Sequence, residues 1–443
     1  MKNIDVELLN KFEKEYNENP SNRIIQDSIF TNGIRKSSTN NKTVQKHNFK
    51  FSVEVKNASM QDQKASGRCW IFAAINSIRI KLLKELNIDD IELSQNYVHF
   101  YDKLEKANFY LTWIVDHGLE ADNEERLFRH FNQEPISDGG YFEYFLNLVE
   151  KYGICPKDFM SESANSENTN TMVEQINWRL KAYTALMRET YAKSKDLQAV
   201  LNLKEKALSD VYNILVKSLG LPPKSFAFEY NDKDKKFIRL PEMTPIEFYK
   251  KYVGETLLDQ VDLISDPREK YDFNQVLVSP FSNNVVGGKP LTMLNVTIDD
   301  MKKAMIKQLQ AGEGVWFGCD VGTFSDSKLG ILDPKLFDFD LILTKTPEFS
   351  KKARFESRAS VLSHAMNMIG VNLDENGNPI SWKVENSWGE DTGKKGIFSM
   401  SDEWFTEYNF EAIVDKKYLT EENLKGLEKP SIEISIFDPL CEE

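Results

Sequence analysis

The strongest constraint in this chain is a long apolar helix with a thiol at its first position. Ile71, Phe72, Ile75, Ile78, Leu82 and Leu86 recur at three- and four-residue spacing and predict a helix over residues 69–87. Ser66-Gly67 just before it reads as a turn, so Cys69 opens the helix. A thiol there feels the positive end of the helix dipole and faces backbone N–H groups that have no partner inside the helix. Both effects favour the thiolate. A free cysteine titrates near ~8.5, whereas helix-terminal or His-paired thiols fall to about 3.5–7.5.

Around this element the chain divides by character. Residues 1–50 read as an N-terminal helix followed by a polar arm rich in Asn, Ser and Thr. Residues 51–160 form a helical lobe: beyond the Cys69 helix, 92–112 is predicted helical with Ser94 as cap, and 140–152 repeats the pattern up to Gly153. SESANSENTN is a polar, unstructured run, and Thr171 to Leu219 is helix-forming throughout. Residues 161–224 therefore read as a helical insertion projecting from the main body, an oligomerisation hook, with an ordinary core helix pair as the alternative. From 225 to 425 short apolar runs alternate with turn residues: FAFEY, GVWFGCDVG, HAMNMIGVNL, SWKVENSW and GIFSM read as strands, and DENGNP (374–379) as a hairpin turn. Residues 426–443 are a C-terminal tail. The expected class is α+β, a helical half followed by a mostly β half with chemistry at their junction.

Charge narrows the partners. A formal net charge of −13 over 443 residues argues against nucleic acid or anionic membranes as general ligands, since phosphate contacts need clustered Lys and Arg. No stretch approaches the roughly 20 apolar residues of a membrane span, and the charged N-terminus has no signal-peptide core. The expected location is cytoplasmic. Of four cysteines, none forms a C-x-x-C pair, so zinc or dithiol redox chemistry is not expected. Cys155 sits in a Gly-Ile-Cys-Pro loop, Cys319 in an apolar strand-like run and Cys441 near the end of the chain. His117 and His130 have no ligand-rich companions, and no metal or cofactor is expected.

The residues that carry chemistry are split between the halves. Gln63, ahead of Cys69, has a side-chain amide able to donate to an oxyanion, and Gly67 allows close approach of a substrate main chain. Far downstream, His364 opens a strand-like run, and VENSWGEDTGKKGIFSM supplies Asn386 and Trp388. Nucleophilic attack on an amide needs these types: a thiolate, an imidazolium to protonate the leaving amine, an amide to hold the ring without competing for its proton, and an indole to shield that hydrogen bond.

Gln-x-x-x-Gly-x-Cys-Trp, then His-Ala, then Asn-Ser-Trp-Gly resembles the papain superfamily. QKASGRCWIFAA, LSQNYVHFYDKLEKANFYL, GGYFEYFLNLVEKYGICPK, VWFGCDVG and VENSWGEDTGKKGIFSMSDEWF are similar to the bleomycin hydrolase family, which includes bacterial aminopeptidase C. The resemblance implies a papain-like two-lobed core with a helical insertion, a homohexamer with inward-facing active sites, small peptide substrates and no cofactor. It casts Cys69, His364 and Asn386 as the catalytic triad and Gln63 as oxyanion donor, with Asp138-Gly139-Gly140 as the segment along which substrate main chain lies. Trp388 and Gly67 belong to the same substrate-facing group.

The family also has a C-terminal tail that enters its own cleft, where the terminal carboxylate meets the substrate's amino group. Here Asp438-Pro439 is followed by Leu440 and then Cys441-Glu442-Glu443, one residue shorter than the family pattern. An extended residue spans ~3.3 Å, so the carboxylate of Glu443 stops about one substrate residue short. The expected activity is an aminopeptidase. A dipeptidyl-type or internal peptidase with a more open cleft is the alternative, and a papain-like amidase or acyl transferase, or a non-catalytic binding protein, a weaker one.

Overall fold

A computed structural model describes residues 3–441. Helices precede strands, as the change in hydrophobic period requires. The helix Cys69–Glu85 runs through the centre of the first half, with Trp70, Ile71, Phe72, Ile75, Ile78, Leu82 and Leu83 all buried. Gln95–Trp113 lies beside it, opened by the Ser94 hydroxyl accepting the Tyr97 N–H. Phe142–Tyr152 completes this layer and ends at Gly153, whose positive φ of 77° stops the helix.

Two segments read as irregular are helical. Beyond Val6–Asn17, the N-terminal arm continues as helices Ser21–Asn32, Ile34–Ser38 and Asn41–Lys46. Within SESANSENTN, residues Ala164–Glu167 make a single turn because Ser163 and Ser166 form a reciprocal capping box. Asn170–Ser194 and Leu197–Leu219 are two helices, separated by Lys195 in the left-handed conformation and restarted by Asp196 as cap. Their inner stripe joins the core of the helical lobe through Ile176, Leu180, Met187, Val200, Val211 and Leu215.

The second half is organised by a 12-stranded mixed sheet. At its centre Val315–Cys319 lies between His364–Leu373 and Asn409–Asp415, antiparallel to both. Pro379–Glu385 follows His364–Leu373 across the expected hairpin, where Asp374 Oδ1 accepts the N–H groups of Asn376 and Asn378. Side chains of these central strands alternate between two cores. Trp316, Ala365 and Ile413 face the helical lobe. Val315, Phe317, Met366, Ala412 and Trp382 face a second core closed by Met301, Trp404 and Phe405.

The halves meet where the Cys69 helix lies against the sheet. Ser77 Oγ donates to Asn367 Oδ1 at 2.9 Å, and the Trp316 indole N–H donates to the Trp70 carbonyl at 3.2 Å. Phe317 is fully buried in the strand between those bearing His364 and Asn409. Phe317→Ala is expected to cost about 3–5 kcal/mol, read as a lower urea midpoint with an unchanged m-value.

Candidate active site

The loop before the Cys69 helix is stitched to the far end of the chain. Gln63 N–H donates to Ser387 O at 2.8 Å, Gly389 N–H donates to Gln61 O at 3.1 Å, and Asp62 bridges Trp388. The Gln63 side chain is fixed at both ends: its Oε1 accepts the Ser387 hydroxyl at 2.6 Å, and its Nε2 donates to Ser66 O at 2.6 Å. An amide nitrogen carries two hydrogens, so one N–H remains for the cleft that Gln63 lines.

His364 is the first residue of its strand, directly opposite Cys319. Its Nε2 lies 2.9 Å from Asn386 Oδ1, and that oxygen also accepts the Ser387 backbone N–H at 2.8 Å. The backbone donor fixes the amide with its oxygen toward the ring, so Nε2 carries the hydrogen and Nδ1 is left as the basic nitrogen. Trp388 packs over the ring, with centroids 4.8 Å apart and planes tilted by 33°. It covers the imidazole rather than lining the cleft. Burial pushes His364 down to about 4, while the Asn386 hydrogen bond acts in the opposite direction. The neutral ring is therefore the resting form unless a negative charge stands beside it.

Cys69, Gln63, Gly67 and His364 line one cleft of about 200 Å³ together with Gly139, Gly140, Trp316, Gly318 and Glu411. Asp138 differs from the expectation of a substrate contact. It does not line the cleft, because its carboxylate is engaged by Lys103 at 2.9 Å and by the Gly67 N–H at 3.2 Å. Two glycines are dictated by this packing. A Cβ on Gly67 would lie 2.7 Å from Asp138 Cβ, and one on Gly140 would lie 2.6 Å from the Trp70 ring.

Glu411 was not singled out from sequence. It lies opposite Gly318 on the neighbouring strand, and a Cβ on Gly318 would lie 2.5 Å from its Oε2. The missing side chain at 318 thus leaves the carboxyl group room at the cleft wall. The only sequence signal is a charged residue set among the apolar Phe410, Ala412, Ile413 and Val414 of NFEAIVD, a strand buried at every position. Asp262 and Glu143 are buried behind it. Burial first, then the charge of Glu411, pushes Asp262 well above the ordinary carboxylate range, and burial raises Glu143 to about 7.

The tail is anchored near this cleft. Asp438 accepts from Arg268 at 2.7 Å, Lys270 at 3.0 Å and the Tyr271 hydroxyl at 3.1 Å. Leu440 and Cys441 are buried beyond it. Cys441 lines a second cavity together with Tyr141, which also lines the cleft. Glu443 lies outside the described residues. Among the described residues no group of three or more His, Cys, Asp or Glu side chains is placed to hold a metal ion.

The depressed His364 has a stability consequence. At a pH between about 4 and its unfolded value near 6.5, the unfolded chain binds a proton on this ring that the folded chain does not, so stability falls as pH falls through that window. The wild type is expected to lose up to roughly 3 kcal/mol more than His364→Ala between pH 7 and pH 4. Urea midpoints of the two proteins across that range check it.

Comparison with known proteins finds similarity over nearly the whole chain. Residues 3–441 match the model of the Peptidase C1-like family. Aminopeptidase C of Listeria monocytogenes is 39% identical over 437 residues, covering 99% of this chain and 98% of that protein. Human bleomycin hydrolase is 36% identical over 406 residues, covering 90% of this chain and 89% of that protein. The crystal structure of PepW from Lactobacillus rhamnosis HN001 superposes with a TM-score of 0.95 at 36% identity, covering 99% of this chain and 98% of that one. A cleft lined by Cys69 and His364, in a chain alike from end to end, makes this protein a member of the Peptidase C1-like family.

Proposed function

We propose that this chain is a cysteine aminopeptidase that releases residues from the N-terminus of small peptides through an acyl-enzyme. The observation that carries the reading is the convergence of Cys69, His364 and Gln63 on one cleft, with Asn386 behind the imidazole. The aminopeptidase C and bleomycin hydrolase relatives support the hydrolase class and the exopeptidase mode.

In this mechanism the Cys69 thiol passes its proton to His364 Nδ1. The imidazolium, costly in a buried site on its own, is offset by the adjacent thiolate and by the Asn386 carbonyl. The sulfur attacks the carbonyl carbon of the scissile amide, a C–S bond forms, and the π electrons move to oxygen. Gln63 Nε2–H and the start of the helix stabilise that oxyanion. When the C–N bond breaks, His364 returns the proton to the leaving amine. Water, deprotonated by the same nitrogen, then attacks the thioester, releases the carboxylic acid and regenerates the thiol.

Glu411 puts a carboxyl group on the inner wall of the cleft, where an ammonium group is the favoured neighbour. This supports recognition of a free amino end by the fold itself, in addition to whatever the tail contributes. The anchoring of Asp438 and burial of Cys441 support a tail directed to the same region. Self-association into a homohexamer is supported by large apolar side chains left exposed on the N-terminal helices and the helical insertion, including Ile24, Phe30 and Trp178. We place the activity in the cytoplasm, a reading supported by the aminopeptidase C relatives; among the described residues no helix is long and apolar enough to cross a membrane.

Cys69→Ala should abolish turnover and keep the fold by circular dichroism. Gln63→Ala should lower kcat by about 10²–10³ with little change in KM. For a fluorogenic amino-acid amide, N-acetylation should suppress cleavage, and undiminished turnover of the blocked substrate would favour the internal-cleavage alternative. Glu411→Gln should raise KM for the free-amine substrate about tenfold or more, the worth of a charged hydrogen bond. Light scattering should give a mass near six times 51.2 kDa.

A further inference from the structure

Behind the glycine edge of the cleft lies a buried ionic cluster that the mechanism above does not use. Lys103 is fully buried, with its Nζ 2.9 Å from Asp138 Oδ1 and 3.0 Å from Asp102 Oδ2, and it also donates to Ser137 O. Lys106 Nζ lies 3.3 Å from Asp102 Oδ2 and donates to the carbonyls of Ser137 and Gly139. The two lysines therefore grip consecutive main-chain and side-chain oxygens from 137 to 139. Asp138 uses its remaining oxygen on the Gly67 N–H, at 3.2 Å, and on the Thr169 hydroxyl. Its own carbonyl accepts the Trp70 indole N–H at 2.8 Å. One residue is thus tied to Lys103, to the turn before Cys69 and to the residue after it.

Such a cluster is a poor device for stability. Removing ammonium and carboxylate groups from water costs several kcal/mol each, and well-packed apolar replacements are often as stable. What directional ion pairs and hydrogen bonds supply is a unique arrangement of the groups they join. Burial opposes charge on both partners, yet Lys103 is held above its ordinary pKa by Asp138 and Asp102, and Asp138 well below the usual carboxylate range, mainly by Lys103. His99, fully buried beside them with neither ring nitrogen hydrogen-bonded among the described residues, is kept neutral by burial and by Lys103.

We propose that Asp138 is a positioning residue: gripped by Lys103, it sets the spacing between the Gly139–Gly140 edge that takes the substrate main chain and the Gly67–Cys69 turn that carries the nucleophile. The methyl-sized clash waiting at Gly67 shows how closely the two segments are held. The inference rests on the peptidase reading. It separates two jobs within it: intrinsic reactivity of Cys69, set by His364 and the helix, and alignment of the substrate, set from Asp138.

The test compares wild type, Asp138→Ala and Asp138→Asn on a peptide substrate, alongside alkylation of Cys69 by iodoacetamide, a small neutral reagent that needs no main-chain alignment. Asp138→Ala should raise KM at least tenfold while its alkylation rate stays within about twofold of wild type. Asp138→Asn keeps an oxygen for Gly67 and Thr169 and should recover part of the loss. An unchanged KM in Asp138→Ala overturns the proposal. So does a fall in alkylation rate that matches the loss of peptide turnover, or the absence of a cooperative unfolding transition in both variants, either of which makes the cluster merely structural. Failure of the wild type itself to cleave peptides would count against the peptidase reading instead.

Discussion

A thiol and an imidazole from opposite halves of a chain can act together only if the interface between those halves is rigid. Here the rigidity comes from the Cys69 helix pressed against the strand that begins at His364. Ser77 and Asn367 hydrogen-bond across this seam, and Asn367 also donates to buried Glu385, which in turn accepts from Asn57. Trp316 ties the sheet to the carbonyl of Trp70. The loop holding Gln63 is then laced to the Ser387–Gly389 segment by main-chain hydrogen bonds. The Cys69 helix and the Gln63 loop are each supported by an element of the other half, so neither lobe holds a complete site.

The polar interior on the two sides of the cleft has opposite character. Under the glycine edge, lysines and aspartates are matched and the charges are retained. Under the strand edge, three carboxyl groups crowd together at Glu143, Asp262 and Glu411, and burial, then the charge of Glu411, pushes Asp262 well above the ordinary carboxylate range. The first arrangement holds geometry, because each ion has a partner at a defined distance. The second places the Glu411 carboxyl group at the cleft wall, where an N–H donor is a favourable neighbour. Under the proposed function, substrate alignment and recognition of an amino end fall to different walls.

Much of the architecture was legible from local pattern. The Cys69 helix, the Ser94 cap, the stop at Gly153 and the hairpin after Leu373 all follow from short-range rules of period, capping and turn chemistry. What escaped were features with no local signature. Four strands of the sheet escaped: Gln260–Ile264 pairs with Asn409–Asp415 far downstream, and Gln275–Ser279 and Leu291–Asn295, which pair with each other, carry no marked alternation or tight-turn signal between them. After the expected first helix, the N-terminal arm stays helical although Ser21–Asn32 buries no residue, so no apolar core stripe marked it. Asp138 is expected from the resemblance to face the substrate main chain, and only its contacts with Lys103 and Gly67 turn its side chain away from the cleft.

The sequence by itself determined the chemistry on offer: a helix-terminal thiol, an amide before it, and a histidine and asparagine at strand ends, each recognisable from its neighbours within a few residues. Tertiary structure alone decided which groups face one another. Only folding brings Asn386 Oδ1 within 2.9 Å of His364 Nε2 with its orientation fixed by Ser387, lowers the pKa of that ring by burial, and opens the gap at Gly318 that admits Glu411. The physical reason is range. Helix period and turn preference act over a few residues, whereas hydrogen-bond distances, desolvation and the facing of side chains across a cleft depend on segments that meet only after the hydrophobic cores of both lobes have closed.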